Sequence, residues 1–301
     1  MIAKFHLPEF FDGAKIYSYF FLLANRFPEM IRPNTEIASI FGNFRGNIWN
    51  GGTWSYGEQP TKEQVERIID LYNNQFNLPL CFTFTNPLLN EHDCYDRYAN
   101  MIAKAGHNGK NRIRVVSPVL EEYLRKEYPN YEYCMSVIGT EDKPYDIEHK
   151  YFDSVLPRKY NNNWELLNAI PMEDRKHLEL ICDEPCDETC PRVYEHYKIY
   201  AQHTLDFDFK GEDLKCAYGN TPEKMLFAHH HLKTERPGYI SREMINELYL
   251  PRGYENFKLT GRWNVFGPLF ALVNYIAKPE YKDDLIRLLL FETNKITAVL
   301  K

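Results

Sequence analysis

The stretch RIRVVSPVLEEYLRKEY, residues 112–128, sets a short β-branched run against an amphipathic one, with a serine and a proline at the joint. RIRVV (112–116) reads as a strand. Ser117 then stands where a helix N-cap belongs, and Pro118 takes the first helical position, where its missing N–H costs nothing. A strand feeding directly into a capped helix is the unit of a parallel sheet with helices on its face. The question is how often the unit recurs.

Working upstream, EIASIFGN (36–43) is a strand ended by a glycine, and Thr61 caps KEQVERIIDLYNNQF, which keeps Val65, Ile68, Ile69 and Tyr72 on one face. LPLCFTFT (78–85) precedes the helix CYDRYANMIAKAG, which ends on Gly106. Downstream, YEYCMSVIG (131–139), FDSVLP (152–157) and HLELIC (177–182) are strand candidates, followed in the last two cases by WELLNAI and PRVYEHYKIYAQH as helices. GYIS (238–241) leads into SREMINELYL, and YENFKLTG (254–261) into NVFGPLFALVNYIA, before a last helix PEYKDDLIRLLLF. Strands near 36, 79, 112, 131, 152, 177, 238 and 255 make eight. The pattern predicts an α/β (β/α)8 TIM-type barrel, preceded by an N-terminal helix at 14–31, with residues 1–301 as a single domain. Residues 203–236 show no clear period and predict a long loop after strand 6. An open parallel sheet is the alternative.

The 301 residues carry a formal charge of −6, which argues against a general phosphate-binding surface and so against nucleic acid as a partner. With 44% hydrophobic and 15% aromatic residues, a packed core is expected. No apolar run reaches the ~18 residues of a membrane span, and the first residues lack the pattern of a signal peptide, so the expectation is a cytoplasmic protein with no membrane partner.

Clustered thiols in a reducing compartment suggest metal binding or catalysis. CDEPCDETCPRVYEH (182–196) places Cys182, Cys186 and Cys190 at three-residue gaps and His196 six residues later. Strand ends carry the chemistry in a barrel, and Cys216 in the long loop supplies a candidate fourth ligand. Thiolates suit both Zn and an iron–sulfur cluster, and spacing alone does not separate them. Cys81, Cys94 and Cys134 read as core residues. His196 is a candidate proton donor, and Arg262 a candidate clamp for a substrate carboxylate beside Lys258. After the first strand of this reading, Arg45, Asn47 and Trp49 are candidate substrate contacts, the indole by stacking on a planar ring. Asn86, at the end of the second, points the same way.

The segments around the cysteines resemble the collagenase-like peptidase family, the U32 group, and its barrel-only relatives. The resemblance rests on Asp183-Glu184-Pro185-Cys186, Cys190-Pro191 and His196 in one register, and on Phe257 to Arg262, FKLTGR. Val193 stands where the family has arginine, Pro185 where it prefers glycine, and Cys182 is additional. The resemblance implies a barrel with a four-iron four-sulfur (4Fe-4S) cluster on Cys186, Cys190 and Cys216, with Cys182 chosen here as fourth ligand. It implies an oxygen-independent, hydroxylase-like enzyme acting on a small carboxylate or planar-ring substrate. A Zn-dependent hydrolase or peptidase and a non-catalytic, metal-stabilised binding subunit with a protein partner are the competing expectations.

Overall fold

The computed structural model describes residues 1–51, 57–140, 151–184, 190–207, 237–260 and 266–299, without the side chains of 266 and 293–299. Eight parallel strands close into a barrel in sequence order. They are β1 (Ala3–Leu7), β2 (Thr35–Gly42), β3 (Leu80–Phe84), β4 (Arg112–Val115), β5 (Glu132–Met135), β6 (Ser154–Val155), β7 (Leu178–Ile181) and β8 (Asn256–Lys258). Closure is made by β8, whose Asn256 lies opposite Glu179 of β7 and Lys4 of β1.

The main helices follow their strands: α1 (Ala14–Arg26), α2 (Lys62–Asp70), α3 (Arg97–Gly106), α4 (Pro118–Glu127) and, after the short turns α5 (Val137–Thr140), α6 (Trp164–Ala169) and α7 (Met172–Arg175), the longer α8 (Val193–Asp206). The chain continues through α9 (Arg242–Met244) and α10 (Phe266–Ala271) to α11 (Lys282–Val299). Local chemistry explains their starts. Thr61 and Gln64 form a reciprocal capping box on α2, and Ser117 accepts the Leu120 amide at 3.3 Å on α4 with Pro118 inside it.

Side chains alternate across the sheet. Phe5 and Leu7, Leu80, Phe82 and Phe84, Ile113 and Val115, Leu178 and Leu180, and Phe257 are all buried in the main core cluster. Their neighbours in sequence, His6, Cys81, Arg114, Cys134, Glu179 and Lys258, fill the barrel interior. Contacts between strands that are not neighbours establish this: Arg114 on β4 reaches Glu179 on β7 at 2.6 Å, and Cys81 on β3 shares a hydrogen bond with Cys134 on β5. A (β/α)8 interior is ordinarily filled by branched aliphatic side chains. Here it is polar.

The barrel agrees with the sequence pattern, but two of its parts are assigned differently. The chain opens with β1, a five-residue strand, so α1 is the first helix of the barrel and not a helix ahead of it. Residues 238–241 form no strand; the Ile240 amide donates to the Cys182 carbonyl at 2.9 Å and the chain turns into α9. The strand HLELIC is therefore the seventh, and the stretch of no clear period follows strand 7. Residues 208–236 of that stretch lie outside the described residues.

Candidate active site at the barrel mouth

The C-terminal mouth is lined by inward-facing residues of the strands and by residues just beyond the strand ends. From β2 come Phe41 and Gly42, from β3 Thr83 and Thr85, from β4 Arg114, and from β5 Ser136. From β7 and β8 come Ile181, Glu184, Lys258 and Thr260, and Glu9 follows β1. With Asn50, Val137, Ile138 and Tyr197 they line a cavity of about 60 Å³. A water needs roughly 10–15 Å³ of such space, so a few waters or a small functional group fit.

Arg114 is the floor of this cavity and is only 1% exposed. Its Nη2 donates to Glu179 Oε1 at 2.6 Å and its Nη1 to the Met135 carbonyl at 3.1 Å. Its Nε–H has no hydrogen-bond partner among the described residues, and neither has the buried Thr85 hydroxyl. Buried donors without acceptors are rare in folded proteins. Lys258 completes the floor with its Nζ 4.1 Å from the centroid of the Phe41 ring, a cation–π contact.

Beneath the floor lies a set of buried titratable groups. Burial would raise Glu179, but the charge of Arg114, with His6 and Lys258, outweighs it and holds the carboxyl at about 2. Asp153, preceding β6, is pushed up to about 8 by burial and then by Glu179. His6 is lowered to about 4, chiefly by burial, so it is neutral near pH 7; its Nδ1 pairs with Ser39 Oγ at 2.7 Å. Cys81 drops to about 6 because it shares a hydrogen bond with Cys134, while Cys134 is raised. The two thiols act as a pair holding one readily lost proton.

Donor atoms of His6, Asp153 and Glu179 lie within 4.8 Å of one another, close enough to suggest a metal centre. Both carboxylates already face cations, however: Arg114 at 2.6 Å from Glu179 and Arg112 at 3.8 Å from Asp153. A divalent ion would add charge between two guanidinium groups. The cluster holds one ionised carboxylate, Glu179, paired with Arg114, beside a protonated Asp153 and a neutral His6.

The residues singled out in the sequence are dispersed. Lys258 is in the site. Cys182, next to Ile181, falls on the opposite face of β7, fully buried in the apolar core between barrel and helices. Burial, then Asp183, raises its thiol well above the ordinary range, and its Sγ lies 3.7 Å from the Leu180 carbonyl. Packed in that apolar layer, Cys182 is not among the residues lining the mouth, which Ile181 reaches instead. Cys190 is buried at the start of the segment leading to α8; Cys186, Cys216 and Arg262 lie outside the described residues. His196 is half-buried on α8 and is not among the residues lining the cavity, which Tyr197 reaches instead.

Trp49 is 0% exposed; its Nε1 donates to the Asp93 carbonyl at 2.9 Å and its ring packs on Phe84 and Tyr123. It is a core residue with no face open to a ligand. Asn47 spends its amide on Asn43 and on the Trp49 amide, holding the same loop. Asn86 donates to the carbonyls of Ile48 and Ala201 and accepts the Leu88 amide. Arg45 pairs with Asp12 at 2.5 Å.

Apart from Lys258, the residues that build the site and its floor were missed although a signal was present. His6 between Phe5 and Leu7, Arg114 between Ile113 and Val115, and Glu179 between Leu178 and Leu180 each place a charged or polar residue between two apolar ones in a strand. Where the outer face of every strand is covered by helices, such a residue must point into the barrel.

No helix among the described residues is long and apolar enough to cross a membrane. No family model and no curated protein matches the chain. Among solved structures, that of the U32 peptidase Mk0906 is similar over 88% of this chain and 94% of its own, at 14% identity and a TM-score of 0.47.

Proposed function

We propose that the chain is a (β/α)8 enzyme whose mouth binds a small carboxylate-bearing substrate. The observation that carries this reading is Arg114: a buried guanidinium lining the cavity, locked by Glu179, with an Nε–H that lacks a partner among the described residues. A substrate carboxylate in the cavity would face the Arg114 guanidinium and Thr85, which line it, with Lys258 supplying further positive charge. In a site shielded from water such charge-assisted bonds are strong and directional. Glu179 orients the guanidinium, and the apolar wall of Val137, Ile138 and Ile181 excludes water from the bound group.

The test is calorimetric titration of the full chain with propionate and, separately, inorganic phosphate. Propionate is expected to bind with a Kd near or below about 1 mM, worth roughly −4 kcal/mol, and Lys258→Met to weaken it tenfold or more. Absence of carboxylate binding would overturn the reading.

The cysteine run supports a second, separable part of the proposal. With Cys182 set aside, Cys186, Cys190 and Cys216 are the thiols left for an iron–sulfur cluster, and three thiolates fall one short of a four-cysteine set. No step is assigned to a cluster. Iron and acid-labile sulfide analysis on anaerobically purified protein decides it: iron with matching sulfide, lost in Cys190→Ser, supports a cluster. Zn alone favours the hydrolase expectation, and a stable metal-free protein retires both.

A further inference from the structure

Charge around the mouth is sorted by strand number. In a closed barrel of eight strands, β4 lies opposite β8, and β7, β8 and β1 are contiguous. On the β3–β5 side the cavity is lined by Arg114, Thr83, Thr85 and Ser136. On the β7–β8–β1 side it is lined by two carboxylates, Glu184 and Glu9, with Thr260 between them in strand order. Lys258 sits two residues earlier than Thr260 on β8, below that rim, against Phe41. Above a floor formed by Arg114 and Lys258, the pocket therefore has a donor-rich wall on the β3–β5 side facing an acidic rim on the β7–β8–β1 side.

Glu9 is held in place by the fold. It adopts φ 59°, the left-handed region that a glutamate rarely occupies. Its carbonyl accepts the Gly13 amide at 2.8 Å, fixing the turn between β1 and α1. Gly42 allows this turn to close on β2, since a Cβ there would meet the Phe10 amide nitrogen at 3.1 Å and the Glu9 Cα at 3.4 Å. Backbone strain held by surrounding structure at a pocket rim is a feature of functional sites.

We infer that the substrate is zwitterionic: it carries an α-amino-acid group, its carboxylate on Arg114 and Thr85 and its ammonium on the acidic wall of Glu184 and Glu9. A dianion such as phosphate would meet those two carboxylates and be repelled. A simple carboxylate would fill only one wall, and a simple amine would meet Arg114 and Lys258. The dipole of the ligand matches the dipole of the pocket, and the substituent on its α-carbon faces Val137, Ile138 and Ile181. The inference rests on the carboxylate reading above and narrows it.

The experiment is titration of the full chain with L-alanine, propionate and ethylammonium, which present both charges, the carboxylate alone and the ammonium alone on the same carbon frame. L-alanine is expected to bind at least tenfold more tightly than propionate, and ethylammonium more weakly than either. Glu184→Gln is expected to weaken L-alanine at least threefold and, by removing a negative charge, to leave propionate as tightly bound as in wild type or more tightly bound, so that the alanine preference falls below threefold. Glu9→Gln provides a second variant if Glu184→Gln lowers the melting temperature. Equal affinity for alanine and propionate, or a preference that survives both variants, would overturn the zwitterion and leave the carboxylate reading standing. Failure of alanine and propionate alike would overturn both.

Discussion

Asp153→Asn isolates one term of the buried network. Burial, reinforced by Glu179, raises this carboxyl from 3.8 to about 8, so the folded protein holds a proton there that the unfolded chain has lost across roughly pH 4 to 8. In that window the folded state binds the extra proton, and stability contributed by this group falls as pH rises, by about 1.4 kcal/mol per unit. Two other interior groups have the opposite sign. His6, lowered from 6.5 to about 4, and Cys81, lowered from 9.0 to about 6, are each protonated in the unfolded chain and not in the folded one across those intervals. Their contributions rise with pH. The wild-type profile is accordingly expected to be shallow, and the difference between variant and wild type is diagnostic.

Asparagine removes the titration and keeps the shape. From about pH 5.5 to about 7.5, the stability of Asp153→Asn relative to wild type is expected to increase by up to roughly 2.7 kcal/mol. Urea denaturation at three or four pH values in that range measures it. A relative stability that stays constant or declines with pH would show that Asp153 is ionised in the fold, paired to Arg112, and would refute the picture of one negative charge on Glu179 serving Arg114.

Glu179→Gln is expected to destabilise by about 3–5 kcal/mol, because it leaves the Arg114 guanidinium buried without its carboxylate; a denaturant midpoint unchanged from wild type would refute the ion pair. Cys182→Ser should cost about 1–3 kcal/mol by placing a hydroxyl in an apolar layer, with iron and sulfide content as in wild type; loss of iron would return Cys182 to the ligand set. Trp49→Ala should cost about 3–5 kcal/mol as a core truncation, measured by thermal melting, whereas a variant as stable as wild type would refute its burial.

The repeated strand–helix unit was legible in the sequence because it is local. A capped helix such as α4 is specified by Ser117, Pro118 and an apolar stripe within ten residues, and eight such alternations leave few ways to bury every face. β1 escaped because it is five residues long and alternates Lys4 and His6 with apolar neighbours, a pattern that reads as a half-exposed segment until the barrel encloses it. GYIS was over-read for the complementary reason: a β-branched residue between turn formers has strand propensity, but Ile240 finds its partner in the Cys182 carbonyl and no ladder forms.

Residue type and the recurring strand–helix alternation, then, were determined by the sequence alone; which strand closes the barrel and the direction in which each side chain points were decided by tertiary closure. Adjacent residues in extended chain face opposite ways, so Ile181, the last residue of β7, looks into the mouth and Cys182, the next residue, into the core. Trp49 and Asn86 likewise sit in loops at strand ends yet spend their polar groups on backbone inside the fold. Arg114 and Glu179 are 65 residues apart and meet at 2.6 Å only because β4 and β7 are strands of one closed sheet. Their ion pair is stable because the same closure removes the water that would otherwise screen it.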